Sequence, residues 1–98
     1  MADGQWVWLA GLVTGRQRPG SAGGVMFATL EDETGNTNLI LWPDRVDRYR
    51  PILLTARLWR VRAQVQHQQG VTHLIVDQLI NLDRLLVELP IKNVSYRP

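Results

Sequence analysis

A two-residue alternation of apolar and other side chains recurs along this chain and constrains its fold more than any other feature. In residues 6–16, one face of an extended segment would carry Val7, Leu9, Gly11 and Val13. Residues 58–67 alternate in the same way, with one face made of Trp59, Val61, Ala63 and Val65. Successive side chains of a β-strand point to opposite faces, so both segments are predicted to be strands with one buried face.

Turn-forming residues separate these strands from three others. Residues 17–24 contain one proline and three glycines, which predicts a loop. Residues 32–36 predict a hairpin turn, because Asp accepts hydrogen bonds within turns and Gly and Asn tolerate positive φ. This turn would join strands at residues 25–31 and 37–42. A short loop at residues 68–70 precedes the last predicted strand, at residues 71–82.

One segment departs from the alternation. In residues 44–54, Val46, Tyr49, Ile52 and Leu53 recur at helical spacing, and Pro51 limits the segment to a short or broken helix. Three strands, a short helix and a closing hairpin predict an all-β protein, a five-stranded OB-fold Greek-key barrel with the helix between strands 3 and 4. A β-sandwich would require about seven strands. We expect residues 1–82 to form the OB-fold nucleic-acid-binding domain and residues 83–98 a C-terminal tail or appendage.

Composition excludes several classes of protein. The absence of cysteine rules out a disulfide framework and a thiolate zinc site. No apolar run approaches the roughly 20 residues of a membrane helix, so we expect a cytoplasmic protein without membrane contacts. Of the 11 basic residues, Lys92 is the sole lysine, and the arginines suit phosphate binding because the guanidinium pairs with phosphate bidentately. A GC-rich codon bias would explain this preference equally well.

Three segments are specific in combination: RQRPG at residues 16–20, TLEDETG at residues 29–35 and GVTHLI at residues 70–75. Together they resemble the C-terminal OB-fold domain of the bacterial DNA polymerase III alpha subunit, most closely its error-prone type, over residues 6–82. Residues 11–38 are more distantly similar to the anticodon-binding domains of class II aminoacyl-tRNA synthetases. The resemblance implies an OB-fold and a role in DNA replication or error-prone repair. We carry over no polymerase activity, because the other domains of that family are not in this sequence.

OB barrels bind nucleic acid across strands 2 and 3, using aromatic rings for stacking and arginines for the backbone. The alternation predicts that Phe27 and Asn38 face outward there, as a stacking ring beside an amide. The synthetase resemblance implies the same two roles. Trp42 would end strand 3 on the same face, where it stacks on a base or packs on the helix. Arg16 and Arg18 are expected on the outer face of strand 1, beside the loop. A β-bulge would instead turn Phe27 into the core.

Further candidates lie on strand 4. Arg60 and Arg62 share its outer face in a stretch without acidic residues, which fits a phosphate track or a solvated surface. His67 lies near the following loop and is a candidate binding residue. With His73 it lacks a third metal ligand, so we predict no metal site. The acids at residues 31–33 fit a turn better than acid or base catalysis, and we predict no catalytic centre and no cofactor.

The sequence therefore predicts a module that binds single-stranded DNA in replication or error-prone repair. Two alternatives stay open. One is a protein-docking module for replication or translesion-repair proteins, with an apolar patch of Leu12, Ile40 and Trp42. The other is binding of RNA or tRNA, which rests on the synthetase-like stretch.

Overall fold

Five strands close into a barrel in the order β1-β2-β3-β5-β4, with β4 pairing back to β1. The computed structural model describes residues 2–18 and 23–88. The strands are β1 (Trp6–Gln17), β2 (Met26–Asp32), β3 (Gly35–Leu41), β4 (Leu58–Gln68) and β5 (Val71–Asn81). Two short helices, α1 (Pro43–Arg48) and α2 (Arg50–Thr55), lie between β3 and β4, and α3 (Arg84–Glu88) follows β5. The predicted all-β OB-fold barrel is confirmed.

The core follows the predicted alternation. The inward residues of β2 and β3 are almost fully buried: Met26, Ala28, Leu30, Leu39 and Leu41. Trp59 on β4 is completely buried, as expected, and its indole N–H donates to the carbonyl of Ala56 at 3.2 Å. The largest fully buried side chain of the described core is therefore an aromatic ring whose one polar atom is satisfied.

The predicted helix is broken in two at Tyr49, whose φ of −108° lies outside the helical range. Pro51 lies in the first turn of α2, where its missing N–H removes no helical hydrogen bond. Val46 of α1 and Leu53 of α2 are buried against the barrel. The break lets both short helices place an apolar residue in the core.

A β-bulge in β1 changes the face of the residues that follow it. Val13 pairs with Leu30, but Gly15 pairs with Thr29, which leaves Thr14 as the extra residue. Beyond a bulge the alternation restarts on the other face. Gln17 therefore shares a face with its partner Phe27, and Arg16 shares the inward face of Ala28.

The register therefore corrects the expected strand face of Arg16, although the residue stays exposed at the end of the barrel. Its guanidinium donates a hydrogen bond to the carbonyl of Ala56 and lies 5.7 Å from the centre of the Trp59 ring. The sequence alternation has no interruption at Thr14 that would reveal the extra residue. Arg16 makes these contacts at the end of the barrel, on the strand face opposite to that of Phe27 on β2.

The β2–β3 hairpin has the predicted turn chemistry. The Asp32 carboxylate accepts hydrogen bonds from the Thr34 hydroxyl at 2.6 Å and the Thr34 backbone N–H at 2.7 Å. These bonds hold the pKa of Asp32 below its usual range. Gly35 has a φ of +130°, which a residue with a Cβ adopts only with strain. The acidic residue at this position thus forms the turn.

The end of β5 is joined to the barrel by Asp83. Its carboxylate accepts the backbone N–H groups of Arg57 and Leu58, at 2.7 and 2.8 Å. Residues 89–98, most of the predicted tail, lie outside the described residues, and a domain boundary at residue 82 stays a prediction. Among the described residues, no helix has the length and apolar character needed to cross a membrane.

Candidate nucleic-acid interface

An open groove of about 330 Å³ crosses the outer face of β2 and β3. Its floor comes from β2 and β3, one end from the last residues of β1, and the far wall from the start of β5. The lining residues are Gly15, Gln17, Phe27, Ala28, Thr29, Asn38, Leu39, Ile40, Val71, Thr72 and His73. None of these described residues is an acid, a lysine or an arginine, so the groove suits the uncharged parts of a ligand.

Phe27 and Asn38 both line this groove. Phe27 pairs with Ile40 and is 39% exposed, whereas its neighbours Met26 and Ala28 are buried. The regular register of β2 therefore excludes the bulge that would have turned the ring inward. The Phe27 side chain is available for stacking.

Asn38 pairs with Thr29, which holds its side chain. The Thr29 hydroxyl donates to the Asn38 amide oxygen at 3.3 Å. Since this bond uses the oxygen, the NH₂ group is the part of Asn38 that can donate to a ligand. An aromatic face and an amide donor thus lie together on adjacent strands, as the alternation predicted.

Four polar groove residues escaped the sequence analysis as binding residues: Gln17, Thr29, Thr72 and His73. β3 pairs with β5 only at Leu39–Leu74 and Ile40–Ile75, so the preceding halves of these strands diverge. The start of β5 then forms the wall opposite Asn38. This parallel pairing joins distant parts of the chain, and no local pattern in the sequence indicates it.

Arg18 is exposed immediately after β1, next to Gln17 in the groove lining. Because the Arg16 side chain bonds to Ala56, Arg18 is the predicted cation nearest in sequence to the end of the groove formed by β1. The rest of the predicted loop, residues 19–22, lies outside the described residues. That Arg18 contacts a phosphate stays a prediction.

Arg60 and Arg62 do not line the groove. They lie on the outer face of β4 and form, with Trp6 and Trp8 of β1, a set that we call the tryptophan–arginine face. The Arg62 guanidinium lies 4.1 Å from the centre of the Trp6 ring, and that of Arg60 lies 4.4 Å from the Trp8 ring. These distances are typical of cation–π contacts. No local sequence pattern indicates this stacking, because the contacts are diagonal across the β1–β4 register.

Asp77 neutralises one end of this face. Its carboxylate accepts hydrogen bonds from Arg45 at 2.8 Å and from Arg62 at 2.9 Å, and its backbone carbonyl accepts the Arg45 Nε–H at 2.9 Å. These two guanidinium groups hold the pKa of Asp77 below its usual range, with Arg45 the larger cause. Arg45 also forms an ion pair with Asp44. Arg62 is therefore engaged in a structural ion pair.

Trp42 and His67 also lie outside the groove. Trp42 is 47% exposed and lines a separate cleft with Trp6. The His67 backbone N–H donates to Asp3 at 2.8 Å, and its ring Nδ1 lies 2.9 Å from the Thr72 hydroxyl. Of the predicted binding residues, Phe27 and Asn38 line the groove; His73 lines it too, whereas His67 is not among its described lining.

The apolar patch predicted for a docking partner is divided between two strands. Ile40 and Trp42 follow each other on the outer side of β3 and its end, whereas Leu12 lies on β1 opposite Leu58 and Glu31. Across the described part of the chain, no group of three or more His, Cys, Asp or Glu residues is arranged to hold a metal ion.

Residues 7–82 match the family model described as the OB-fold nucleic acid binding domain of the tRNA anti-codon type. The chain belongs to this family. Phe27 and Asn38 therefore lie in a nucleic-acid-binding fold, on the face where OB barrels take their strands.

Among curated proteins, the chain is 45% identical over 96 residues to error-prone DNA polymerase 2 of Rhizobium meliloti. The match covers 98% of this chain and 9% of that polymerase, so the chain spans a small part of its relatives' length. The resemblance to the OB-fold domain of error-prone polymerases is thereby confirmed.

Solved structures of low sequence identity share the fold. Asparaginyl-tRNA synthetase from Pyrococcus horikoshii superposes with a TM-score of 0.68 at 23% identity, over 82% of this chain and 20% of that one. The second OB-fold domain of replication protein A from Methanococcus maripaludis gives 0.61 at 15% identity, over 83% and 87% of the two chains. At these identities the likeness establishes the barrel only.

Proposed function

We propose that this OB-fold domain binds single-stranded DNA through the β2–β3 groove and serves in DNA replication or error-prone repair. The observation that carries the proposal is the half-exposed Phe27 ring beside the Asn38 amide in one groove. Its relatives are error-prone DNA polymerases, and the chain spans 9% of the first of them, so we assign it binding and no catalytic step.

The chemistry of the groove favours contacts with bases. A base that stacks on Phe27 gains affinity whatever its identity, because every base has an aromatic face. The Asn38 NH₂ group can donate to an acceptor on the base edge. Since the described lining carries no arginine or lysine, the phosphates would run along its rim, where Arg18 is exposed just after β1. We therefore expect sequence-tolerant binding in the micromolar range or weaker.

Replacement of Phe27 by Ala tests the proposal. Loss of one stacked base should reduce the affinity for fluorescein-labelled oligo-dT by about 1–3 kcal/mol, measured by anisotropy at low salt. The thermal midpoint should change little, because the ring is not part of the core. Phe27→Tyr keeps the aromatic face and should retain most of the affinity.

Two results would contradict the proposal. One is the absence of oligo-dT binding at low salt; the other is equal affinity of the wild type and Phe27→Ala. A large fall in thermal midpoint for Phe27→Ala would mean that the ring contributes to folding, and the Tyr variant would then decide whether it also stacks.

RNA is the second candidate ligand, because the matching family model is of the tRNA anti-codon type. Oligo-dT and oligo-U of equal length should be titrated side by side. Preference for the deoxy strand is the expected result. Tighter binding of oligo-U would transfer the proposal to RNA and leave the role of the groove unchanged.

A further inference from the structure

We propose that the cleft between Trp6 and Trp42 is a second base-stacking site, which takes a base of the same DNA strand beyond those bound in the groove. The inference rests on the proposed function of the β2–β3 groove. The cleft has a volume of about 170 Å³, and its described lining is Trp6, Trp42, Asp44, Arg45, Gln64, Ile75, Val76 and Asp77. The two tryptophans are 46% and 47% exposed.

The cleft continues the groove along β3. Asn38, Ile40 and Trp42 alternate with the buried residues Leu39 and Leu41, so all three lie on the outer side. Asn38 and Ile40 line the groove, and Trp42 lines the cleft. Two residues of a strand span about 7 Å, so the two sites are close neighbours.

Ile75 connects the two sites on the other side. It is the parallel partner of Ile40 on β5 and lines the cleft itself. A strand of DNA that leaves the groove past Ile40 therefore meets an apolar surface and then two tryptophans. Stacked aromatic rings along a path are the usual means by which OB barrels bind several nucleotides.

The charges around the cleft favour a base over a phosphate. Asp44 and Asp77 supply two carboxylates, and Arg45 and Arg62 supply two guanidinium groups that are ion-paired with them. Since these charges cancel, the cleft offers little net attraction to a phosphate. The neutral aromatic face of a base is the part of the strand that fits.

The same ion pairs hold one of the rings in place. Asp77 fixes the Arg62 guanidinium, which covers one face of Trp6 at 4.1 Å. The ring is thus positioned before ligand arrives, and a base can stack only on its other face. A preorganised ring loses little conformational freedom on binding, which favours affinity.

The test uses the complete 98-residue chain and a length series of labelled oligo-dT, from about 4 to about 16 nucleotides, the range of OB-fold site sizes. In the wild type, affinity should rise when the oligonucleotide becomes long enough to reach the cleft. Trp42→Ala and Trp6→Ala should remove this rise, a loss of about tenfold for long oligonucleotides, and leave the shortest ones unaffected. The slope of log affinity against log salt should not change, because no phosphate contact is lost.

Trp8→Ala is the matched control. Trp8 lies two residues from Trp6 on β1, is equally exposed and also carries a stacked arginine, but it does not line the cleft. It should bind every oligonucleotide as the wild type does. If Trp8→Ala loses as much affinity as Trp6→Ala, the cleft is not the site.

A second measurement does not depend on how the variants fold. Two long oligo-dT strands are compared with intact oligo-dT, one with abasic residues at its 5′ end and one with abasic residues at its 3′ end. Both keep their phosphates and lack bases that could stack at the modified end. The wild-type protein should bind one of the two about tenfold more weakly than intact oligo-dT, and equal affinity for all three strands would overturn the inference. If short oligonucleotides bind in a Phe27-dependent manner and added length gives no gain, only the second site fails; if no length binds, the proposed function fails.

Discussion

The two outer surfaces of this barrel carry different chemistry. The groove on β2 and β3 has one exposed aromatic ring, two side-chain amides and no lysine or arginine among its described lining. The tryptophan–arginine face on β1 and β4 has two exposed rings, each covered by a guanidinium, and Asp77 neutralises one of these. A count of arginines along the sequence would place phosphate binding on the second surface, yet that surface uses its charge for internal contacts.

The partners of an arginine decide whether its charge can serve a ligand. Arg62 has an ion pair and a stacked ring, and Arg16 has a carbonyl and a ring, so both already contribute to the fold. Arg18 has exposure and a position beside the groove lining. Since β1 contributes residues to both surfaces, changes along this one strand can separate their roles.

The largest effect is expected at Gly11, where β1 passes from its pairing with β4 to its pairing with β2. A Cβ on Gly11 would lie 2.7 Å from the backbone carbonyl oxygen of Glu31, which cannot move without moving β2. Gly11→Ala should therefore reduce the free energy of unfolding by about 1–3 kcal/mol, as measured by urea denaturation. Because β2 also forms the floor of the groove, its displacement should weaken oligo-dT binding as well.

Gly15→Ala is the control for this change. A Cβ on Gly15 would lie 3.5 Å from the Thr29 hydroxyl oxygen, an ordinary contact, so stability should stay near that of the wild type. Equal stabilities of Gly11→Ala and the wild type would show that β1 and β2 can separate at this point. The two surfaces would then be less tightly coupled than the packing indicates.

Local patterns predicted the strands within about two residues of their observed ends, because each strand buries one face and the two-residue period reports that directly. The break in the helix followed from Pro51. The same reasoning placed Phe27, Asn38 and Trp59 on the correct faces. Where secondary structure is regular, alternation suffices to assign a side chain to the core or the surface.

The remaining features depend on pairings between distant segments. The bulge at Thr14 moves Arg16 to the other face of β1. The sequence does not indicate this bulge, since Thr is acceptable on either face. The wall formed by Thr72 and His73 requires the parallel β3–β5 contact, and the stacking of Arg62 on Trp6 requires the β1–β4 register. Such three-dimensional neighbours cannot be obtained from a single sequence read locally.

An intermediate effect is expected for Asp77→Asn, which separates the two surfaces by function. Loss of the charge-assisted bonds to Arg45 and Arg62 should reduce the free energy of unfolding by about 1–2 kcal/mol. The affinity for the shortest oligo-dT should not change, because Asp77 does not line the groove. Asp47→Asn, which breaks the exposed pair with Arg50, is the control and should cost about 0.5 kcal/mol or less.

The stability difference at Asp77 should depend on pH in one direction. The folded state lowers the pKa of this carboxyl, so its stabilising contribution is complete above about pH 5 and is lost as the pH falls through the lowered pKa. The wild type and Asp77→Asn should therefore approach equal stability in acid. A constant difference between them from neutral pH to about pH 2 would contradict the ion pair as its source.

The smallest effect is expected from the two arginines at the end of β1, which sequence reasoning treated as equivalent. Arg18→Ala should lower the slope of log affinity against log salt for oligo-dT by about 0.7, the value for one phosphate contact on a single strand. Arg16→Ala should leave that slope unchanged and lower the thermal midpoint, because its guanidinium bonds to Ala56 and contacts Trp59. The opposite pattern, with the slope sensitive to Arg16 and the midpoint to Arg18, would mean that Arg16 leaves the barrel when DNA binds. Unchanged slopes in both variants would move the phosphate path away from β1 altogether.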